Sequence, residues 1–225
     1  MSDNPETLLK PGRPREPFIN APWVVTLLVG TLLALHGLRV AFGLPPDPFA
    51  FTSDDLAAHR WIGLVSYQFT HGSWLHVLMN AAATLVFGAP LARLMGSGPR
   101  GAAAFLLFFL VCGVISALGY VPFAGVPAWS LVGCSGAASG LFAATVRIAE
   151  GRGRLGPLFG ATVIQTTIVF SIGNAILGLS GLTPGAGGVP VAWQAHIAGY
   201  LAGLILVGPF LRLAGVSHRD HALAH

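Results

Sequence analysis

Residues 132–140 read VGCSGAASG. A hydroxyl, Ser135, stands among glycines and alanines at the mouth of an apolar stretch, about 135–149, that is shorter than the others in the chain. Outward from it, apolar runs fall near 22–43, 75–95, 101–121, 156–180 and 193–213. A spanning helix needs about 20 apolar residues. The pattern therefore predicts an all-α membrane protein, a bundle of six transmembrane helices whose short fourth helix starts at Ser135. The run at 22–43 is too long for a signal-peptide core and lacks a convincing cleavage site, so it reads as a retained span. Residues 1–21 are polar and proline-bearing and predict a disordered tail; 22–213 forms one six-helix domain; 214–225 is a second tail. Its histidines, His218, His221 and His225, read as solvated.

Composition points the same way. The chain of 225 residues is 54% hydrophobic and 9% charged, with a mean hydropathy of +0.72. Soluble domains average about 25% charged residues. A net charge of +4 and a pI near 9.7 do not imply nucleic acid, because the 12 basic residues are scattered and form no stripe beside stacking aromatics. Cys112 and Cys134 both lie in apolar sequence, with neither CxxC nor Cys/His metal spacing, so no disulfide framework is implied. No internal repeat is visible and acidic residues for ion coupling are missing from the spans, which argues against a transporter.

Loop charges set an orientation. Lys10, Arg13 and Arg15 precede span one; Arg93 and Arg100 flank the loop between two and three; Arg147, Arg152 and Arg154 lie between four and five; Arg212 and Arg219 follow six. The opposite loops hold Arg60, with Arg39 near the end of span one, and 122–134 and 181–192 carry no charge. The positive-inside rule places both termini in the cytoplasm. A single lysine and a short chain lean towards a bacterial inner membrane.

Polar side chains inside a membrane are expensive and are functional candidates by default. Three groups stand out: HGSWLHVLMN (71–80), GCSGAASG (133–140) and AHIAGYLAG (195–203). In the derived orientation all three deliver their polar residues to the outer ends of spans two, four and six. His76 and Asn80 are four apart and share one helical face. His71, five before His76, belongs to the loop ahead of the span. Gly136 and Gly140 line one edge of span four, and His196, Gly199 and Gly203 one stripe of span six; such small residues let helix backbones approach closely in lipid. If the two glycine edges meet, Ser135 faces His196. A serine is a weak nucleophile until a base takes its proton. The free amides at a helix N-terminus attract developing negative charge, and His76 and Asn80 can add side-chain donors. No Asp or Glu lies in a span except Glu150 at the far end of span four, so the pair would be a Ser–His dyad. Taken singly, Ser135 reads as a packing or N-cap serine, His196 as a cross-helix hydrogen bond, and His76 and Asn80 as interhelical glue. Cys134 reads as small filler, and Trp74, Trp129 and Trp193 as interfacial-belt residues.

Together these motifs resemble the rhomboid family of intramembrane serine proteases: H-x4-H-x3-N at 71–80, G-x-S-G at 133–136 and A-H-x2-G-x3-G at 195–203, in that order on spans two, four and six. The likeness covers roughly 60–213. It implies Ser135 as nucleophile and His196 as general base, an oxyanion site of His76, Asn80 and the Ser135 backbone amide, and a supporting set of His71, Gly133, Gly136, Gly140, Gly199 and Gly203. It implies membrane-protein substrates cut in or near the bilayer, no cofactor and no metal, and a gate and cap formed by span five and the loop GLTPGAGGVPVA (181–192). Two departures stand out. Many members carry a tyrosine four residues after the serine, stacked on the histidine; here Ser139 takes that place, so another residue must orient His196. The Trp-Arg pair of the first outer loop is reversed here, as Arg60 and Trp61, and is not carried over. The competing readings are a non-catalytic rhomboid-like protein that binds membrane helices, and a metal enzyme using His71, His76 and His196. The second lacks H-E-x-x-H and a nearby glutamate base.

Overall fold

The computed structural model describes residues 21–124, 128–181 and 191–216. Most of the expected N-terminal tail, of the loop 181–192 and of the tail beyond Val216 lies outside these residues. In chain order the elements are α1 (Trp23–Ala41), β1 (Phe51–Thr52), α2 (Ser53–Ala57), α3 (Gly63–Ser66), α4 (Trp74–Met95), α5 (Pro99–Tyr120), β2 (Ser130–Leu131), α6 (Ser135–Glu150), α7 (Ala161–Ser180) and α8 (Trp193–Ala214). Among the described residues, α1, α4, α5, α7 and α8 are long and apolar enough to cross a membrane. The short fourth run is a helix of 16 residues, about 24 Å at 1.5 Å per residue. It begins at Ser135.

One boundary needs correction. The apolar run at 156–180 reads as a single span, yet α7 starts only at Ala161. The residues before it fold back under α6: the Gly156 N–H donates to the Arg147 carbonyl at 2.9 Å, and the Arg147 guanidinium donates to the Gly156 carbonyl at 2.6 and 3.1 Å. The same guanidinium reaches the Leu204 carbonyl of α8 at 2.6 Å. Arg147 is therefore a buried clamp on backbone carbonyls, where its position in the sequence suggested a loop charge. Glu150 closes the turn by accepting from the Thr162 amide at 3.2 Å, which serves the N-terminus of α7 that Gly160 leaves without a side-chain cap.

α6 is the hub. Most of its residues are buried, and it packs on α4, α5, α7 and α8. The main apolar cluster gathers Leu141 and Ala144 of α6, Phe105, Phe108 and Phe109 of α5, Leu91 of α4 and Val207 of α8, with Val25 and Leu32 of α1 at its edge. By contrast α7 buries only Val163 and Gly178 and otherwise stands at the margin of the bundle. Because lipid tails are as apolar as leucine, helices in a bilayer associate through close packing and hydrogen bonds. The tightest example joins α6 to α8. A Cβ on Gly199 would fall on the Gly136 carbonyl, and one on Gly203 on the Gly140 carbonyl. These two rungs, one turn apart, bring the backbones into contact.

A small layer covers the Ser135 end. β1 and β2 pair antiparallel, Phe51 opposite Leu131 and Thr52 opposite Ser130. Thr52 and Asp55 form a reciprocal capping box at the start of α2, and Asp55 holds Arg60 at 2.9 Å. Tyr67, in the 3₁₀ turn after α3, donates its hydroxyl to the Gly113 carbonyl at 2.7 Å, while its own carbonyl accepts the Gly133 amide at 2.9 Å. Of the belt tryptophans, Trp129 packs in this layer, its ring 5.3 Å from Phe51 and 5.6 Å from Tyr120, while the half-exposed Trp74 at the start of α4 lies 4.7 Å from the buried His36 of α1.

The α6–α8 contact predicts a sharp substitution pattern. Gly199→Val and Gly203→Val force side chains against carbonyls that cannot move aside, and overpacking of this kind costs about 1–3 kcal/mol or more. Thermal unfolding in detergent should show both midpoints lowered. Gly30→Ala, on α1 where nothing lies within 4 Å, should leave the midpoint unchanged or slightly raised.

Candidate active site

The segment before α6 is shaped by Gly133, whose φ of +98° is one that other residues rarely adopt. Its backbone is packed against α4. A Cβ there would sit 2.6 Å from His76 Nε2 and 3.2 Å from Asn80 Nδ2. Both side chains of the span-two pair therefore converge on the backbone two residues ahead of Ser135. Asn80 Nδ2 is buried and has no hydrogen-bond partner among the described residues. An orphaned buried donor is costly, and its position leaves it free to meet an incoming acceptor.

α6 then starts with Cys134 at the N-cap, and no side chain caps the helix. The first intrahelical bond runs from the Ala138 amide to the Cys134 carbonyl at 2.9 Å. The amides of the first turn, Ser135 included, thus keep their hydrogens for an acceptor outside the helix. Cys134 turns away from the serine towards His71, its Sγ 3.8 Å from Nε2.

The register of α8 is set from α5. Ser116 donates to the Ala195 carbonyl at 2.8 Å, and its hydroxyl fills the space where a Cβ on Gly136 would go. Ser116 is thereby a shim between the start of α6 and the first turn of α8. The next residue after Ala195 is His196, and its Nε2 lies 2.7 Å from Ser135 Oγ across 61 residues of sequence. Both side chains are half-buried.

The other face of the imidazole is also engaged. His196 Nδ1 lies 2.7 Å from Asn174 Oδ1 on α7. Asn174 Nδ2 donates to the Phe170 carbonyl at 2.9 Å, which fixes the amide so that its oxygen faces the ring. An oxygen acceptor at Nδ1 requires the proton there, so Nε2 carries the lone pair and accepts the Ser135 hydroxyl. Ser139, at the position expected to lack an aromatic neighbour for His196, returns its hydroxyl to the Ser135 carbonyl at 2.8 Å. Below the dyad, Phe142, Phe170 and Tyr200 form a ring cluster, with Phe170 stacked on Tyr200 at 4.5 Å.

His71 lies in the loop ahead of α4, fully buried. Its carbonyl accepts from Arg39 at 2.8 Å, and its ring meets that of His76 edge-on at 5.1 Å. Burial, reinforced by His76 and His36, pushes its pKa down to about 3, so it packs as a neutral ring. Among the described residues no three His, Cys, Asp or Glu side chains converge as a metal site would require.

The structure thus brings Ser135, His196, His76, Asn80 and the four helix glycines into one region at one end of the bundle. Sequence reasoning missed Asn174, Ser116 and Tyr67. The first had a signal: a carboxamide inside an apolar run is itself an anomaly. The other two had none, because their partners are backbone atoms of distant segments. No curated protein matches the chain. Residues 58–213, more than half of its length, match the family model of the Rhomboid domain. With five helices of membrane-crossing length, this is an integral membrane protein, and the chain belongs to the rhomboid family.

Proposed function

We propose that this protein is an intramembrane serine endopeptidase that hydrolyses peptide bonds in or near the transmembrane segments of other membrane proteins. The observation that carries the reading is the 2.7 Å contact of Ser135 Oγ with His196 Nε2, made by a ring whose tautomer leaves Nε2 free to accept. Ser135 Oγ attacks the scissile carbonyl carbon while its proton passes to His196 Nε2. The carbonyl oxygen becomes an oxyanion, met by the Ser135 amide and by the side chains of His76 and Asn80. Collapse breaks the C–N bond, and His196 hands its proton to the leaving amine. Water then attacks the acyl-serine carbonyl. It gives one proton to His196, the ester C–O bond breaks, the acid product leaves, and the proton returns to Ser135.

The topology that suits this reading has six spans in a catalytic domain over 22–213, flanked by tails at 1–21 and 214–225. α6 is the fourth of them in chain order and the shortest. Buried among α4, α5, α7 and α8, it need not meet the length that lipid contact would impose. Both termini face the cytoplasm, by the loop arginines, and a bacterial inner membrane suits the lysine-poor chain. The dyad then lies below the outer surface, where a helical substrate would have to arrive from within the bilayer and water from above.

Two tests separate this from a helix-binding protein without activity. A fluorophosphonate probe should label the full chain in detergent at Ser135, and both Ser135→Ala and His196→Ala should abolish labelling and cleavage of a membrane-anchored reporter while thermal midpoints hold. Cleavage undiminished in Ser135→Ala would remove the assignment. The oxyanion role makes a graded claim. His76→Ala and Asn80→Ala should each slow cleavage by about 10²–10³-fold, the loss seen when one such donor is removed. If instead they lower stability and leave the turnover of the folded fraction intact, both residues are interhelical packing.

A further inference from the structure

The site's third polar member sits on the helix least held by the rest of the bundle. Over its most apolar stretch α7 is 11% buried, against 28–56% for the other four long helices. Several contacts attach it to the neighbouring helices. Phe170 stacks on Tyr200, Thr167 meets the Tyr200 hydroxyl at 3.3 Å, Trp193 lies against Gly178, and Glu150 caps the N-terminus. Asn174 follows Phe170 by one turn and is tied to it through the Phe170 carbonyl. The hydrogen bond from Nδ1 of His196 therefore ends on a group whose place is set by the seating of α7, while Ser135 and the rest of His196's surroundings are set by the glycine rungs and Ser116.

We propose that Asn174 is the positioning residue of the dyad, holding the tautomer and ring plane of His196, and that it makes the reactivity of Ser135 depend on α7 being seated. This rests on the reading of Ser135 and His196 as nucleophile and base. With α7 seated, the Nδ1 proton is committed to Asn174 and the lone pair faces the serine. When α7 moves away by more than hydrogen-bond reach, the ring loses its fixed acceptor, can turn about its χ angles, and can carry its proton on the nitrogen that faces Ser135. The serine is then without a base.

The test uses the full-length protein in detergent and a fluorophosphonate probe, with the labelling rate followed against probe concentration and pH. Asn174→Ala should lower the maximal rate on the order of 10²-fold, with the half-saturating probe concentration changed by less than about twofold. That is less than the ~10⁴-fold loss when a tautomer is reversed outright. Asn174→Asp should keep a rate near wild type, since a carboxylate also accepts from Nδ1. It should also move the acid limb of the rate–pH profile upward by about one unit or more, because an adjacent negative charge favours the imidazolium, the form that cannot act as base. His76 on α4 is the other titratable group facing His196, and it is the same in every variant compared. Phe170→Ala, which loosens α7, should slow labelling in the wild-type background and have no further effect in Asn174→Ala, a coupling read by the double-mutant cycle. Wild-type labelling by Asn174→Ala, an unmoved acid limb in Asn174→Asp, or an equal effect of Phe170→Ala in both backgrounds would each overturn the inference. Labelling that needs Ser135 and His196 but ignores Asn174 removes this inference alone. Labelling that survives Ser135→Ala removes the dyad reading beneath it.

Discussion

Backbone contact between α6 and α8 is the constraint from which the site follows. Two glycines on each helix, at matching four-residue spacing, let the Gly136 and Gly140 carbonyls lie where Cβ atoms of Gly199 and Gly203 would otherwise be. Ser135 is the residue before one rung, and His196 lies one turn ahead of its partner. A hydrogen bond keeps its strength over only a few tenths of an ångström, whereas a single methyl at a rung would part the helices by far more. The hydroxyl–imidazole contact is thus a consequence of what α6 and α8 lack. Ser116 completes the fit from a third helix, filling the remaining space at Gly136 and holding the Ala195 carbonyl.

The polar atoms of the interior follow a common rule. Where a side chain is polar and enclosed, it usually engages a backbone carbonyl: Tyr67 on Gly113, Gln68 on Leu64 and Leu110, Ser116 on Ala195, Thr145 on Phe87, and Arg147 on Gly156 and Leu204. In a medium without water each such bond removes an unmet donor, and most of them tie two separate segments together. Some enclosed atoms stand outside the rule: among the described residues Gln68 Oε1, Thr84 Oγ1, both ring nitrogens of His36 and Asn80 Nδ2 have no partner. Of these, Asn80 Nδ2 is the one packed against Gly133, where α4 meets the entry to α6. It is an open donor beside a helix N-terminus.

The long helices were legible because the bilayer imposes a length and a composition that few other constraints can imitate. The stretches that meet in the site were legible too, since HGSWLHVLMN, GCSGAASG and AHIAGYLAG are the places where polarity interrupts that composition. The start of α7 was not. LGPLFG is apolar enough to join a span, and only the Arg147 clamp reveals that it folds back beneath α6. Two-residue strands have no periodicity, so the layer built by Phe51–Thr52 and Ser130–Leu131 left no trace to read. Asn174 escaped for another reason. Its bond on its own element goes to a backbone carbonyl, that of Phe170, which no sequence pattern displays, and its other partner is the ring it meets from α8.

That the group behind His196 is an amide and not a carboxylate follows from the medium. An ionised Asp among these helices would lose part of its hydration, a cost that only attraction to an imidazolium would offset. In the resting state, with a neutral ring, it would have no partner charge at all. An asparagine oxygen selects the same tautomer through its dipole and remains neutral throughout. On the proposed mechanism it gives up the charge stabilisation that a carboxylate would offer a protonated ring, so more of the developing charge would have to be met at the other end of the reacting system. There the amides opening α6, the unpartnered Asn80 donor and His76 are gathered around Gly133. On that reading, the neutral partner of His196 and the donors gathered around Gly133 are two sides of one accommodation to a site enclosed by lipid-facing helices.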